Sequence, residues 1–213
     1  MKRGNKRKLY IAHGLLGAFV LWTAAVRLVD VQAIGPRGSA VGFAALNRLV
    51  HDLTGVHLSL YVLTDWLSLV PLGMIAGFGL LGLGQWIGRK NLLKVDHSIR
   101  MLGVFYIVVL AAYFLFELCA VNYRPVLIGD VLEVSYPSST TMLVMTVMPT
   151  ALMQFNARIK DRKRRRGVGF AVIIFTVFMV VGRLVSGVHW FTDIVGGALL
   201  SAGLVVLYDA LAE

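Results

Sequence analysis

The chain has 213 residues, 58% of them hydrophobic, with a formal net charge of +10 and a single cysteine. A soluble domain has roughly 45–50% apolar residues, so this composition excludes an ordinary soluble protein, and one cysteine excludes an internal disulfide. The excess apolar residues are gathered into long runs separated by polar connections. This pattern predicts an all-α, polytopic membrane protein.

Six apolar runs are each long enough to cross a hydrocarbon core of ~30 Å as a helix. In chain order they cover residues 9–28, 62–86, 101–120, 141–157, 168–185 and 191–210. The first run is longer than the apolar part of a signal peptide and lacks a clear cleavage site, so we interpret it as a retained helix. We therefore predict a single membrane-embedded domain over residues 1–213, folded as a six-transmembrane-helix bundle.

The segment between the first two runs has the pattern of an amphipathic helix. Phe43, Leu46, Val50 and Leu53 recur at helical spacing, with polar residues on another face. A helix of this kind lies in the membrane interface. We place this extracytoplasmic segment at about residues 36–56, where it either lines a lateral route for a lipid tail or caps the bundle.

The basic residues are divided unequally between the two sides that alternate connections define. Sixteen of the 21 lie in the N-terminus and in the connections near 87–100 and 158–166. The other five are arginines on the opposite side, namely Arg27, Arg37, Arg48, Arg124 and Arg183. Because cytoplasmic connections carry the excess of Lys and Arg, both termini are predicted to be cytoplasmic, in the cell membrane. The charge is a topology signal, and nucleic acid is not an expected partner.

Residues of the types that catalyse phosphoryl transfer lie in Gly182–Asp193, at the end of the fifth run and just after it, on the predicted extracytoplasmic side. If the chain is helical from Val188 onward, His189 and Asp193 are i and i+4 and share one face. The carboxylate can then hold one imidazole nitrogen and leave the other free as a nucleophile. Arg183 suits a phosphate because its planar fork matches the oxygens. The alternatives are a structural His–Asp pair and an arginine that anchors the helix end.

A second cluster falls on the same predicted side, between the third and fourth runs. It consists of Tyr123-Arg124-Pro125 and of Tyr136-Pro-Ser-Ser-Thr140, and it offers another guanidinium and several hydroxyls. Motif and topology therefore agree on one shared site at the extracytoplasmic end of the bundle. No further His, Asp or Glu stands at usual metal-ligand spacing, so neither a metal nor a cofactor is expected.

Together these motifs resemble the type 2 phosphatidic acid phosphatase superfamily. The resemblance rests on Arg183-x5-His189-x3-Asp193, on Tyr-Pro-Ser-Ser at 136–139 and on Arg124-Pro125. It implies a metal-independent membrane lipid phosphatase that works through a phosphohistidine intermediate, with a phosphorylated lipid as its partner. The implied roles are His189 as nucleophile, Asp193 as its orienting partner, Arg124 and Arg183 as phosphate clamps, and Ser138 with the backbone N–H of Ser139 as the oxyanion site.

Two positions depart from the family pattern. Glu117 stands where the first motif normally has lysine, and Thr140 stands where the second normally has the histidine that acts as general acid. General acids typically contribute about 10²–10⁴-fold. A leaving group that is itself a phosphate needs little protonation, so a lipid diphosphate, such as a polyprenyl diphosphate, is favoured over an alkyl phosphate. Alternatively, Glu117 supplies the proton.

Three function classes remain open at this point. The first is a lipid phosphatase or diphosphatase, and the second is a catalytically weak or inactive relative that binds a phosphorylated lipid. The third, a transporter or channel, ranks last because the ionisable residues collect at one end and mark no polar path across the membrane.

Overall fold

A computed structural model describes residues 3–212, with the backbone alone for Arg3. Met1, Lys2 and Glu213 lie outside the described residues. Lys2 is one of the basic residues of the predicted cytoplasmic N-terminus. The described chain forms eight α-helices and no strand. They are α1 (Arg3–Leu28), α2 (Ala44–Thr54), α3 (Leu58–Leu67), α4 (Leu69–Arg89), α5 (His97–Leu118), α6 (Ser139–Arg158), α7 (Arg162–Val185) and α8 (Phe191–Ala212). The prediction of an all-α chain is confirmed.

Five helical segments of the described chain are long and apolar enough to cross a membrane. They are Gly4–Leu28, Leu58–Arg89, His97–Leu118, Arg162–Val185 and Phe191–Ala212. Helix α6, the predicted fourth span, is not among them, because its serine, threonine, glutamine and asparagine side chains lower its mean hydropathy. The chain has the helices of a membrane protein, and the predicted count of six spans is not confirmed.

Helix α6 tolerates polar side chains because it is enclosed by the other helices. It packs against α4, α5, α7 and α8. Two of its hydroxyl groups bond within the helix: Thr146 Oγ1 donates to the Met142 carbonyl at 2.7 Å, and Thr150 Oγ1 to the Thr146 carbonyl at 2.8 Å. A hydroxyl that bonds a carbonyl of the preceding turn is satisfied without water. Helix α6 therefore occupies the interior of the bundle without a uniformly apolar surface.

Helices α3 and α4 form one apolar segment of 32 residues with a break at Ser68. Pro71 causes the break, because it has no N–H to donate to the Leu67 carbonyl and its ring crowds that carbonyl. The segment begins at Leu58, four residues before the predicted run. The extra turn and the break give α3 its own position beside α7, against which it packs.

Helix α2 forms within the predicted amphipathic segment, and Asn47 of its polar side is turned inward. Asn47 is fully buried, whereas Leu49 and Leu53 are 57% and 77% exposed. The helix packs on α8, and Phe43 before it stacks on Trp22 with ring centroids 5.2 Å apart. The leucines of α2 thus face outward, as they do on the membrane-spanning helices.

Helix α8 lies at the centre and contacts α1, α2, α5, α6 and α7. Small residues allow this close packing. A Cβ added to Gly196 would lie 2.6 Å from the ring of Tyr136, which is buried between Phe19 and Phe116. The Tyr136 hydroxyl is 2.7 Å from Thr23 Oγ1. Gly196 therefore fixes the distance between α8 and the connection that precedes α6.

Replacing Gly196 by alanine is expected to lower the free energy of unfolding by about 1–3 kcal/mol, because a well-packed interior has no space for a methyl group. Gly73→Ala is the matched control, since a Cβ there meets no atom within 4 Å. Denaturant unfolding of both variants in detergent micelles provides the measurement. Equal stability of the two variants would contradict the packing argument.

Candidate active site

The predicted site residues other than Glu117 come together at one end of the bundle. Helices α5 and α7 end there, and α6 and α8 begin there. The connection 119–138 supplies Arg124 and Ser138, the connection 186–190 supplies His189, and α3 adds one face. None of these segments is adjacent in sequence to all the others, so the site depends on how the helices pack.

Arg183, in the last turn of α7, is anchored on α3 and α6, with its side chain 3% exposed. Its Nη1 donates to the Tyr61 carbonyl at 3.3 Å and to Thr64 Oγ1 at 3.2 Å. Its Nη2 donates to Thr140 Oγ1 at 2.6 Å and to Asp65 Oδ1 at 3.2 Å. Four of the five donors of a guanidinium are thereby occupied by protein oxygens.

Arg124 lies between a carboxylate and the candidate nucleophile. Its Nε is 2.7 Å from Glu133 Oε2, and its Nη1 is 3.4 Å from Nε2 of His189. The ring of Tyr61 lies beneath both arginines, with centroid distances of 5.8 Å to Arg124 Cζ and 4.7 Å to Arg183 Cζ. Cation–π attraction to one ring helps to hold two like charges in one small volume.

His189 lies just before α8, which begins at Phe191, so the chain is not helical from Val188 onward. The loop nevertheless brings Nδ1 of His189 to 3.8 Å from Asp193 Oδ2. This distance exceeds that of a hydrogen bond, and the carboxylate acts on the imidazole through its charge. Asp193 Oδ2 accepts from the Trp190 N–H at 3.0 Å, as an acidic side chain in the first turn of a helix commonly does.

Burial lowers the pKa of His189 below its usual value of 6.5. Arg124 and Arg183 lower the pKa further by charge repulsion, and Asp193 opposes them. Desolvation is the largest cause because it penalises the charged imidazolium. The imidazole is therefore neutral at pH 7, and the nitrogen that faces Arg124 carries a lone pair when Nδ1 holds the proton.

A buried network that the sequence analysis missed positions Asp193 and the start of α8. Asn122 Nδ2 donates to Asp193 Oδ1 at 3.0 Å and to Thr192 Oγ1 at 3.3 Å. Asn47 Nδ2 donates to Thr192 Oγ1 at 3.0 Å, and its Oδ1 accepts from the Thr192 N–H at 3.1 Å. All four residues are at most 1% exposed. An asparagine beside an apolar run was the available signal, because buried amides need partners.

Ser138 and Thr140 flank the first residue of α6 and have different roles. Ser138 is the N-cap, and its Oγ accepts from the Thr141 N–H at 3.4 Å. Its own N–H donates to the Asp193 carbonyl at 3.1 Å. Thr140 contacts Arg183, as described above. Ser139 opens the helix, where backbone N–H groups lack helical partners and favour an anion.

Glu117 lies apart from the two arginines. It is exposed near the end of α5 and lines a small cavity with Ser139, Tyr136 and Pro137. Its carboxylate is not within 4.0 Å of a basic nitrogen anywhere in the described chain. The carboxylates that contact the arginines are instead Asp65 and Glu133, neither of which the sequence analysis had singled out.

The backbone of the His189 loop touches the corner between α2 and α3. Gly187 has a φ of +69°, and a Cβ there would lie 2.1 Å from the Gly55 carbonyl oxygen. The His57 N–H donates to the Ser186 carbonyl at 3.0 Å. Only glycine fits at position 187, because the conformation and the close approach both exclude a side chain.

Residues 3–212 contain no group of three or more His, Cys, Asp or Glu side chains that could hold a metal ion. The arrangement instead joins a neutral imidazole, two guanidinium groups and the start of a helix. These are groups that bind and attack a phosphate.

Comparison with known proteins agrees with the motifs. The PAP2 superfamily model matches residues 73–211, well over half of the chain. The chain therefore belongs to the PAP2 superfamily, which confirms the resemblance. No curated protein matches the sequence.

Among solved structures, the crystal structure of the first transmembrane PAP2-type phosphatidylglycerolphosphate phosphatase, from Bacillus subtilis, has a similar fold. The TM-score is 0.61 at 19% identity, and the match covers 94% of each chain. The likeness at this identity is one of fold.

Replacing Asp65 by asparagine is expected to tighten the binding of inorganic phosphate by up to about fivefold, because the competing ion pair on Arg183 is lost. The gain is small because the Asp65 side chain is 60% exposed. Isothermal titration of the purified protein with phosphate measures it. Asp52→Asn, at an exposed position on α2, controls for the change in net charge. Weaker phosphate binding by Asp65→Asn than by wild type would contradict the prediction, because it would show that the Asp65 carboxylate favours phosphate binding.

Proposed function

We propose that this protein is an integral-membrane lipid phosphatase that uses His189 as its nucleophile. The observation that carries the proposal is the 3.4 Å approach of Arg124 Nη1 to His189 Nε2. It puts positive charge beside the nitrogen that would attack phosphorus, where negative charge gathers on the phosphoryl oxygens. Membership of the PAP2 superfamily and the fold of a phosphatidylglycerolphosphate phosphatase support the same reaction class.

In the first step, the Nε2 lone pair of His189 forms a bond to phosphorus as the bond to the leaving oxygen breaks. The phosphoimidazole that results carries positive charge, which the Asp193 carboxylate 3.8 Å from Nδ1 stabilises. In the second step, water attacks phosphorus, the P–N bond breaks and its electron pair returns to the imidazole. The products are inorganic phosphate and the lipid with one phosphate group fewer, which is a lipid monophosphate when the substrate is a diphosphate. Arg124 and Arg183 hold the phosphoryl oxygens, with Ser138 and the Ser139 N–H beside them.

The leaving group determines which lipid suits the site. Thr140 accepts a hydrogen bond from Arg183 at 2.6 Å, and a hydroxyl is too weak an acid to protonate an alkoxide near pH 7. Within the described residues, Glu117 forms an ion pair with neither Arg124 nor Arg183. When His189 attacks the terminal phosphorus of a lipid diphosphate, the leaving group is the lipid monophosphate, an anion that takes the bonding electrons without a proton. A polyprenyl diphosphate is therefore the substrate we favour over a lipid monophosphate.

We place this site at the extracytoplasmic face of the cell membrane. Helix α7 starts at the basic cluster 162–166 and carries Arg183 in its last turn, and α6 runs from Ser139 to Arg158. The basic connections and the site thus lie at opposite ends of the same helices, and basic connections stay cytoplasmic. In this arrangement α6 is a sixth span enclosed by the others, both termini are cytoplasmic, and residues 1–213 form one domain.

Helix α2 completes this arrangement at the membrane interface. Its exposed Leu49 and Leu53 face the bilayer, and its buried Asn47 holds α8. An amphipathic helix with its apolar side outward binds the interface through that side.

A phosphorylated-lipid binder without turnover is the second candidate. It is favoured by the absence of a histidine at position 140 and by the pairing of both arginines with carboxylates. Such a protein binds the lipid with the same clamp and releases no phosphate.

A phosphate-release screen with purified protein separates these candidates. Farnesyl diphosphate is expected to be hydrolysed faster than dioleoyl phosphatidic acid. His189→Ala is expected to lower the rate by about 10⁴-fold or more, because the nucleophile is lost. His13→Ala is the matched control, since this exposed imidazole bonds only its own helix.

Labelling with a ³²P-labelled substrate, quenched in alkaline detergent, tests the intermediate. A base-stable, acid-labile label in wild type that His189→Ala lacks is the expected result. Tight lipid binding with no release of phosphate would favour the binder, and faster release from the monoester would overturn the preference for a diphosphate.

The pH dependence of kcat/KM is expected to show an acid limb below pH 6.5. Burial lowers the pKa of His189 from 6.5, so the imidazole stays neutral until the pH falls below that value, and protonation then removes the lone pair. The ionisation of the substrate, determined separately by ³¹P NMR, is subtracted from the profile. A limb centred above pH 6.5 would contradict a neutral buried nucleophile.

A further inference from the structure

A large groove lies between α4 and α5, at the end of α5 away from the site. Its volume is about 760 Å³, within the range of roughly 300–1,000 Å³ that ligand pockets span. The segment 97–104 of α5 lines it, whereas Asn122 and Arg124 follow the other end of that helix. The groove is therefore separate from the proposed active site.

Glycines on α4 create the groove. A Cβ added to Gly79 would meet no atom within 4 Å, and one added to Gly82 would lie 3.0 Å from Ile99 Cγ2. The floor is apolar, with Phe78 and Leu102 buried. An open apolar groove on a helix pair that crosses a membrane fits a chain of methylene groups.

One charged side chain at the groove, Arg100, has no ion-pair partner among residues 3–212. Arg100 lines it, and its Nε is buried without a hydrogen-bond partner in the described chain. Neighbouring Asp96 is already engaged, by Arg89 at 2.9 Å, by Gln85 at 2.7 Å and by Arg158 at 3.8 Å. Arg100 is half-buried, and a guanidinium at the edge of a hydrocarbon core is stabilised by a compensating charge.

The surroundings of Arg100 determine the sign of the ligand. Lys90 and Lys94 lie in the connection that precedes α5, and His97 lines the groove together with Arg100. Basic pockets between membrane helices on the cytoplasmic side bind anionic lipid head groups. A second copy of this chain offers the groove mainly apolar helix faces and leaves Arg100 uncompensated.

We propose that this groove binds a membrane phospholipid with an anionic head group. The lipid phosphate contacts Arg100, and one acyl chain lies along α4 over Gly79 and Gly82. This site is independent of the proposed reaction, because neither Arg100 nor α4 contributes to the His189 site.

Native mass spectrometry of the purified protein tests the proposal by titration with dioleoyl phosphatidylglycerol and dioleoyl phosphatidylcholine. Wild type is expected to bind the anionic lipid more tightly. Arg100→Gln is expected to lose about fivefold of that preference, and Arg100→Lys to keep it. Arg165→Gln, an exposed basic position in α7, is expected to match wild type.

A second variant tests the groove itself. Gly79→Leu places a side chain in open space and is expected to weaken the binding of both lipids, with the helical content by circular dichroism unchanged. The proposal is overturned if Arg100→Gln keeps the full preference or if wild type does not distinguish the two lipids. It is also overturned if Gly79→Leu dissolves a dimer while lipid binding persists, because a second copy then covers the groove.

Discussion

The site depends on one buried carboxylate. Asp193 is fully buried, and an ion in that position destabilises the fold unless it is compensated. Asn122 and the Trp190 N–H supply hydrogen bonds at 3.0 Å each, and His189 supplies a nearby imidazole. These partners come from the connection after α5 and from the start of α8. The requirement to satisfy one charge therefore fixes two distant segments against each other.

The neighbouring Thr192 extends the same constraint to the rest of the bundle. Its carbonyl accepts from Trp22 Nε1 at 3.1 Å, its hydroxyl accepts from Asn47, and its N–H donates to Asn47. Helices α1, α2 and α8 thus meet at one residue. In a membrane the hydrophobic effect does not bring helices together. Buried polar contacts and close packing at glycines such as Gly196 hold the helices together instead.

The spacing of residues predicted the parts of the site that are local in sequence. Arg183, His189 and Asp193 lie within one short segment, and long apolar runs predicted where five membrane-length helices form. Contacts between distant residues could not be read in this way. Asn122 and Asp193 are 71 positions apart, and Asn47 and Thr192 are 145 apart. A neutral amide in a polar connection gives no indication of which partner it will meet.

Two other differences have physical causes. Periodicity identified the apolar side of α2, but in a membrane the apolar side faces lipid as readily as protein, so it did not predict that Asn47 would be the buried residue. The run 141–157 predicted a helix that indeed forms as α6, but a helix enclosed by others tolerates hydroxyls and amides that a lipid-facing span excludes. Asp65 interrupted an apolar run in the sequence, and its pairing with Arg183 at 3.2 Å accounts for the interruption.

The contact between Gly187 and Gly55 has a mechanical consequence. Because the two backbones are in direct contact with no side chains between them, they cannot shift independently. A displacement of the corner at residues 54–57 therefore moves the loop that bears His189. That corner joins α2, whose leucines are exposed, to α3, which carries Tyr61 and Asp65. The position of α2 and the orientation of the His189 imidazole are therefore coupled through this corner.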